Sequence, residues 1–350
     1  VTRTTLRAAS VATIETPLRR PFVTALGTRL STANVSATLR LSGGALGYGE
    51  ASTSLALKHL TAAALQRALE RLTRRALGRD ARDWRALVDE AWKTFPELSP
   101  AVAAFESALL SALAAESGVP LASWFGGSAR TLDSDLTLSA WTDDEFTRDA
   151  AAEAARAGFR TLKIKVGGRP KDDLARVRAA RLGAPRARLI LDGNQGLTPR
   201  GALALLEALL KEGAAVELLE QPVRKDDLAG MAFVARRSPV PVAADESVAT
   251  PAQAARVLAL GAATAINVKL AKSGISRGLE IAAVARAAGV PLMIGCMAET
   301  ARGLSSSVHL ALGTGFFRHV DLDSDVLLVE DAASRRAAGW VRRGPRIALG

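Results

Sequence analysis

From Leu136 to Asp321 the chain repeats one pattern eight times: a short apolar, β-prone run, then a helical stretch rich in Ala, Leu and Arg. The runs are Leu136–Ala140, Thr161–Val166, Arg188–Asp192, Val216–Glu220, Val242–Asp245, Ala265–Leu270, Pro291–Gly295 and Phe317–Asp321. Successive runs begin about 23 to 28 residues apart, the length of one strand plus one crossover helix. Continuous apolar strands alternating with helices predict a parallel sheet covered by helices, and eight such units predict closure into a barrel. A doubly wound sheet is the alternative. It needs a phosphate-binding turn after its first strand, and neither GxGxxG nor GxxxxGK(S/T) is present.

The chain before the repeat has another character. Val11–Pro17, Asn34–Leu41 and Leu46–Ala51 read as strands separated by turn residues such as Ser42-Gly43-Gly44. From about Leu60 to Ala115 the pattern is helical, broken at Gly78 and between Pro96 and Pro100. Strands followed by helices describe a small α+β unit, here residues 1–125, ahead of a barrel over 126–321. Hydrophobic residues at 49% and charged ones at 23% exclude a disordered chain. No apolar run is long enough for a transmembrane helix, and VTRTTLRAAS lacks the apolar core of a signal peptide. The single cysteine, Cys296, rules out an internal disulfide framework, so a cytoplasmic protein without membrane contact is expected.

Forty-six basic residues against 35 acidic ones give a net charge of +11. The basic residues are dispersed, however, and one tyrosine offers no ladder for stacking bases. No nucleic-acid partner is expected; a non-catalytic, polyanion-binding scaffold is the rival of another class. Only nine of the 46 are lysine, so a lysine inside an apolar run needs a reason.

In such barrels the functional groups lie at the C-terminal ends of the strands. Those ends carry Lys163 and Lys165, Asp192 and Asn194, Glu220, Asp245 and Glu246, Lys269, and Asp321 and Asp323. Alternation places Lys163 and Lys165 on one face of their strand. Asp192, Glu220 and Asp245 follow three consecutive strands, so their carboxylates can converge, and three hard oxygen donors favour Mg²⁺. The alternative is that each carboxylate caps the helix that follows it. Lys165 and Lys269 are four strands apart in a ring of eight and face each other across it. They are suited to proton transfer, their pKa lowered by the metal; the alternative is a structural ion-pair network. His309, His319 and Cys296 show no partner that would give them a catalytic role.

This order of residues resembles the muconate-lactonizing subgroup of the enolase superfamily. The resemblance implies a (β/α)7β modified TIM barrel with an N-terminal α+β capping domain and a tail, residues 322–350, that returns to the cap. Asp321-Leu322-Asp323 is similar to the Asp-x-Asp motif of dipeptide epimerases, where the pair receives the dipeptide's α-ammonium. Arg20-Pro21-Phe22-Val23-Thr24-Ala25-Leu26 resembles the family's mobile specificity loop. The implied activity is a Mg²⁺-dependent 1,1-proton transfer at the Cα of the C-terminal residue of a dipeptide, through an enediolate, in a homo-oligomer. Lys165 and Lys269 are then the acid and base, Asp192, Glu220 and Asp245 the metal ligands, and Asn194 and Glu246 orienting groups. Lys163, Asp321, Asp323, Thr24, Gly27, Met297 and Glu299 are the implied substrate contacts. A cycloisomerase, o-succinylbenzoate synthase or N-acylamino-acid racemase would use the same scaffold without an ammonium to bind. Ala-Glu epimerases of the family commonly carry an arginine where this chain has Gly27, which implies a neutral, hydrophobic C-terminal residue here. Arg29 either reaches inward in that arginine's place or faces solvent. The family's turn after the sixth strand is shortened here to Lys272-Ser273-Gly274-Ile275.

Overall fold

A computed structural model describes residues 4–57 and 59–350; Val1–Arg3 and Lys58, and with them the first three residues of the N-terminal reading, lie outside the described residues. Strands β1 (Leu6–Thr24), β2 (Gly27–Leu41) and β3 (Leu46–Ala51) form an antiparallel sheet in that order. Helices α1 (Ala62–Ala76), α2 (Trp84–Thr94) and α3 (Ser99–Ser117) pack on it through a shared core that includes Val35, Leu39, Leu69 and Phe105. The first two strands run further than their β-prone centres suggest. Past a bulge between Pro17 and Phe22, β1 and β2 stay paired to Thr24 and Gly27, so the expected mobile loop is the tip of a hairpin.

After α4 (Leu121–Trp124) and β4 (Thr131–Asp133) come the eight strands of the repeat: β5 (Leu136–Leu138), β6 (Thr161–Lys165), β7 (Arg188–Asp192), β8 (Val216–Glu220), β9 (Val242–Ala244), β10 (Ala265–Lys269), β11 (Leu292–Gly295) and β12 (Phe317–Asp321). They form one parallel sheet in sequence order. Its two edges meet: Asp135 N donates to Val320 O at 2.8 Å and Thr137 N to Asp323 Oδ2 at 2.6 Å. The sheet is therefore a nearly closed (β/α)7β barrel rather than an open, doubly wound one. Seven helices connect the strands: α5 (Asp144–Arg156), α6 (Pro170–Gly183), α7 (Pro199–Lys211), α8 (Leu228–Ala235), α9 (Pro251–Ala259), α10 (Leu270–Ala287) and α11 (Ser305–Thr314). Their inward faces and the outward faces of the strands share a core of Leu, Ile, Val and Ala. The tail comprises α12 (Ser324–Leu327), α13 (Ala332–Arg336), β13 (Trp340–Arg343) and β14 (Arg346–Leu349). Leu328 pairs with Leu18 of the cap, whereas β13 and β14 extend a separate sheet onto β4. No helix among the described residues is long and apolar enough to cross a membrane.

Two buried carboxylates fasten the cap to the barrel. Glu50 accepts from Asn34 Nδ2 (2.8 Å), Tyr48 Oη (3.0 Å), Thr300 N (3.0 Å) and Thr300 Oγ1. Glu106, on α3, accepts from Ile275 N (2.7 Å), Ser276 N (2.9 Å) and Ser276 Oγ. Those donors are exposed by a break in α10 at Gly274, whose φ of 67° and whose approach to Glu106 exclude a side chain: a Cβ there would lie 2.2 Å from Oε2. The shortened turn of the sequence is this break. Replacing Glu106 by Ala strands buried donors and is expected to cost about 2 to 4 kcal/mol, read as a lower urea midpoint, with Glu106→Gln between it and wild type; a loss below about 0.5 kcal/mol would show that the pin adds nothing.

Candidate active site

At the barrel's C-terminal end, lysines and carboxylates alternate around the ring. Lys165 Nζ lies 2.6 Å from Asp192 Oδ2, and Lys269 Nζ 2.7 Å from Asp245 Oδ2. Between those two pairs stands Glu220, which takes Asn267 Nδ2 at 2.7 Å on Oε1 and approaches Lys163 Nζ at 2.8 Å with Oε2. Lys163, only 1% exposed, also reaches Asp321 Oδ2 (2.6 Å) and Asp192 Oδ2 (3.1 Å). The alternation inferred for Lys163 and Lys165 holds: both point into the barrel.

Backbone geometry aims these groups. Asn194, Gln195 and Gln221 take left-handed conformations just past the ends of β7 and β8, an arrangement that non-glycine residues adopt where function demands it. The turn lets Asn194 N donate to Asp192 Oδ1 at 2.9 Å. The Gln221 side chain bridges two strand ends, accepting from Asp245 N (2.9 Å) and donating to Ser247 Oγ (2.9 Å). Gly295, at the end of β11, leaves room for Lys269: a Cβ there would lie 2.7 Å from its Cε. The helices after the three acidic strand ends are capped by other side chains, Thr198 on α7, Asp227 on α8 and Thr250 on α9. Asp192, Glu220 and Asp245 are therefore not helix caps.

Electrostatics follow from this packing. Burial works to raise Asp192, but Lys165, Lys163 and Lys269 hold it below the usual carboxylate range; Asp245 is held low in the same way by Lys269 and Lys272. Glu220 is pushed up to about 7, by burial and then by Asp192. Glu246 also reaches about 7, through burial and the charges of Asp245 and Asp192. Burial opposes the charge on Lys269, yet Asp245 and Glu220 raise it above its ordinary value. A lysine lowered into the range of a neutral-pH base is thus not what these neighbours produce: they are anions.

Two sets of three buried carboxylates stand inside the barrel. Asp192, Glu220 and Asp245 are the first, linked to one another through Lys163 and Lys269 rather than drawn into one tight group. Glu220 Oε2, Glu246 Oε2 and Asn194 Oδ1 are buried without a hydrogen bond, although Lys163 Nζ lies 2.8 Å from Glu220 Oε2. The second is Asp135, Asp321 and Asp323, with oxygens within 4.8 Å of one another. In that set Lys163 already occupies Asp321, and Thr137 N occupies Asp323. Asp135 precedes β5 and opens toward the far end of the barrel, beside Arg160, Arg188 and His319. Both sets are buried hard donors and both hold oxygens without a hydrogen bond, Glu220 Oε2 in the first and the two Asp135 oxygens in the second. The first suits Mg²⁺ beside a substrate because Asp245 opens toward the cap, whereas Asp135 faces the far end.

Over these charges lies a cleft lined by residues of both barrel and cap, the setting of a small-molecule site. Lys163, Lys165, Asn194, Asp245, Glu246, Lys269, Asp321 and Asp323 form its floor, and Thr24 and Met297 are on its walls. Gly27 and Glu299 are not among the lining residues. Glu299 is buried to the side, accepting from Met297 N at 3.2 Å and pushed up to about 8 by burial and by Glu50. The hairpin tip is fastened over the cleft: Ala140 N donates to Val23 O (2.9 Å), Trp141 Nε1 to Pro21 O (2.8 Å), and Arg20 pairs with Glu153 (2.7 Å).

Several lining or supporting groups escaped the sequence reading. Thr137 and Asp135 flank the Asp321 and Asp323 pair, and Asn267 holds Glu220. Lys272 places Nζ 2.6 Å from Asp245 Oδ1 and also donates to Asp245 O. The signal for it was present, since lysine is scarce in this chain and Lys272 follows an apolar strand. Phe22 is seated over Lys165, its ring centre 5.7 Å from Nζ.

Comparison with known proteins identifies the family. Residues 7–126 match the mandelate racemase/muconate lactonizing enzyme N-terminal domain, and residues 145–341 match the enolase C-terminal domain-like family. An aromatic dipeptide epimerase of Herpetosiphon aurantiacus is 40% identical over 93% of this chain and 92% of its own. The L-Ala-D/L-Glu epimerase of Bacillus subtilis is 37% identical over 91% of this chain and 88% of its own. Among solved structures, a dipeptide epimerase of Enterococcus faecalis V583 complexed with Mg and L-Leu-L-Tyr superposes with a TM-score of 0.92 at 29% identity, over 99% of this chain and 97% of that one. With both halves matched and relatives aligned almost end to end, the chain belongs to the mandelate racemase/muconate lactonizing enzyme family and, within it, to the dipeptide epimerases.

Proposed function

We propose that this protein is a Mg²⁺-dependent dipeptide epimerase that inverts the Cα of the C-terminal residue and prefers a neutral, hydrophobic side chain there. The observation that carries the reaction is the pair of lysines on β6 and β10, each tied to a different carboxylate on either side of Glu220. Asp192, Glu220 and Asp245 would hold the metal. When bound, Mg²⁺ draws the charge of these three carboxylates away from the lysines and stabilises the negative charge that grows on the substrate carboxylate.

The chain's own residues do the rest. Asp321 and Asp323 receive the N-terminal ammonium. Asp323, held near 6 by burial and by Asp321, ionises readily when a cation arrives. An acylated amine would leave this pair unmatched, which argues against an N-acylamino-acid racemase or a cycloisomerase. Lys163 orients the substrate carboxylate, with Asn194 and Glu246 bracing the acidic cluster. Lys165 and Lys269 then stand on opposite sides of the Cα. One nitrogen takes the α-proton, leaving the C–H electron pair on the substrate; the other delivers a proton to the opposite face. Thr24 and Met297 contact the substrate from the walls. Leu18, Phe22, Leu26, Leu55 and Leu328 make those walls apolar, which supports a hydrophobic side chain. The lone reduced cysteine supports a cytoplasmic location. A homo-oligomer is expected from the family, and light scattering tests it.

Lys165→Ala and Lys269→Ala are each expected to lower epimerisation by about 10²- to 10⁴-fold, while each variant still exchanges the α-proton of one enantiomer in D₂O; near-normal turnover by either variant would refute the opposed pair. Asp192→Asn, Glu220→Gln and Asp245→Asn change little volume, and calorimetric titration with Mg²⁺ should show affinity lowered more than about tenfold in each. Unchanged affinity in all three would place the metal elsewhere. On specificity, wild type should process L-Ala-L-Leu and L-Ala-L-Phe at higher kcat/KM than L-Ala-L-Glu, whose carboxylate would lose its water against the apolar walls. A wild type that favours Ala-Glu by tenfold would reject the neutral preference.

A further inference from the structure

The hairpin that closes the cleft places its residues in rungs. Phe22 lies directly opposite Arg29, and Thr24 opposite Gly27. Side chains opposite one another in an antiparallel pair share a face, so Phe22 and Arg29 project together, and both line the cleft. Phe22 is the residue seated over Lys165. Arg29 therefore stands beside the direction in which a side chain leaves the carbon that Lys165 attends. Two rungs on, and on the same face, Gly27 sets no side chain against Thr24.

Arg29 is half-buried, and its Nη1 donates to both Thr53 O and Thr53 Oγ1 at 3.0 Å. No carboxylate pairs with it among the described residues, although Arg20, Arg176 and Arg342 each have one. Two bonds from one nitrogen fix the guanidinium plane and leave its faces without a partner. Nearby walls are Leu18, Phe22, Leu26 and Leu55. A carboxylate entering there loses its water against apolar carbon and gains one guanidinium edge. An aromatic ring loses little water, gains the apolar contact, and is attracted through its π-face to the cation. An aliphatic chain gains the apolar contact alone. The molecule stacks arginine on aromatic rings elsewhere: Arg277 lies 3.9 Å from the Trp92 ring centre and Arg302 4.0 Å from that of Tyr48.

We infer that Arg29 is a specificity-determining residue whose guanidinium, braced by Thr53, receives the ring of an aromatic C-terminal residue, so that aromatic dipeptides are favoured over aliphatic ones. This rests on the dipeptide reading above. The test compares kcat/KM for L-Ala-L-Phe, L-Ala-L-Leu and L-Ala-L-Glu in the Mg²⁺-loaded full-length enzyme, Arg29→Met and Arg29→Lys. Arg29→Met is expected to lower the Phe-to-Leu ratio about fivefold. Arg29→Lys keeps the charge but not the plane, and should fall between the two; it carries the test alone if the methionine variant does not fold. An unchanged ratio in active variants overturns the inference and reduces Arg29 to a brace for the cap, with the epimerase reading intact. An Ala-Glu preference in wild type that Arg29→Met abolishes means the guanidinium pairs an acid, overturning both the inference and the neutral preference. Absence of exchange with every dipeptide in wild type overturns the epimerase reading together with it.

Discussion

Anions outnumber cations inside this barrel, and the site is organised around that imbalance. Lys163, Lys165, Lys269 and Lys272 face Asp135, Asp192, Glu220, Asp245, Asp321 and Asp323, all buried. An unpaired buried charge costs several kcal/mol, so the groups interleave: each lysine touches a carboxylate, and Asp192, Asp245 and Asp321 stay ionised because lysines adjoin them. The surplus appears at Glu220, Asp323 and Asp135, all shifted upward, with burial as the leading cause and neighbouring carboxylates next. On the proposed reading, a divalent cation at Glu220 and an ammonium at Asp323 would return such carboxyls to their ionised form. Substrate binding and metal binding are in this sense the completion of the barrel's electrostatics.

The scaffold must hold this arrangement against its own repulsion. Parallel strands supply carboxylates at successive ends, but the directions are set locally: by left-handed Asn194 and Gln221, by the Gln221 amide that ties the end of β8 to that of β9, and by Gly295, which gives Lys269 its path. The cap adds what the barrel lacks. It is pinned by Glu50 and Glu106, both accepting several donors from barrel loops, and it lowers an apolar hairpin onto a charged floor. Electrostatic contacts on that floor strengthen as water leaves it.

The barrel was legible because its signal is repeated: eight apolar runs at near-constant spacing leave few other folds, and each observed strand falls within or on its predicted run. The strand-end residues were legible because a charge at the close of an apolar run is anomalous. What escaped was determined by contacts across the chain. Asp135 and Thr137, at the first barrel strand, meet Asp321 and Asp323, at the end of the last, only when the ring closes. Asn267 reads as one more polar residue until Glu220 is seen to need a donor. The hairpin tip was expected to be a loop from the family resemblance alone; Pro17 and Pro21 interrupt its β pattern, yet a bulge absorbs the irregularity and pairing resumes at Phe22. Glu299 was assigned from the resemblance alone, and its burial beside Met297 removes it from the cleft wall.

The two opposed lysines are not equivalent, and this has consequences for a reaction that must run both ways. Lys165 has one carboxylate partner within ion-pair distance besides the lysine next to it on the strand, and it is roofed by Phe22, a residue of the cap. Lys269 shares Asp245 with Lys272 and lies against Gly295, entirely within the barrel. A second cation on Asp245 weakens that carboxylate's hold on the Lys269 proton, whereas Asp192 is shared with Lys163. Each lysine thus competes with another lysine for its carboxylate, one with a strand neighbour and one with a helix residue. On the proposed reading, a metal drawing on these carboxylates would leave each nitrogen able to exchange a proton, which an arginine in its place could not do. The same chain that uses arginine almost everywhere else places four of its nine lysines here, and an ammonium, unlike a guanidinium, can give up its proton.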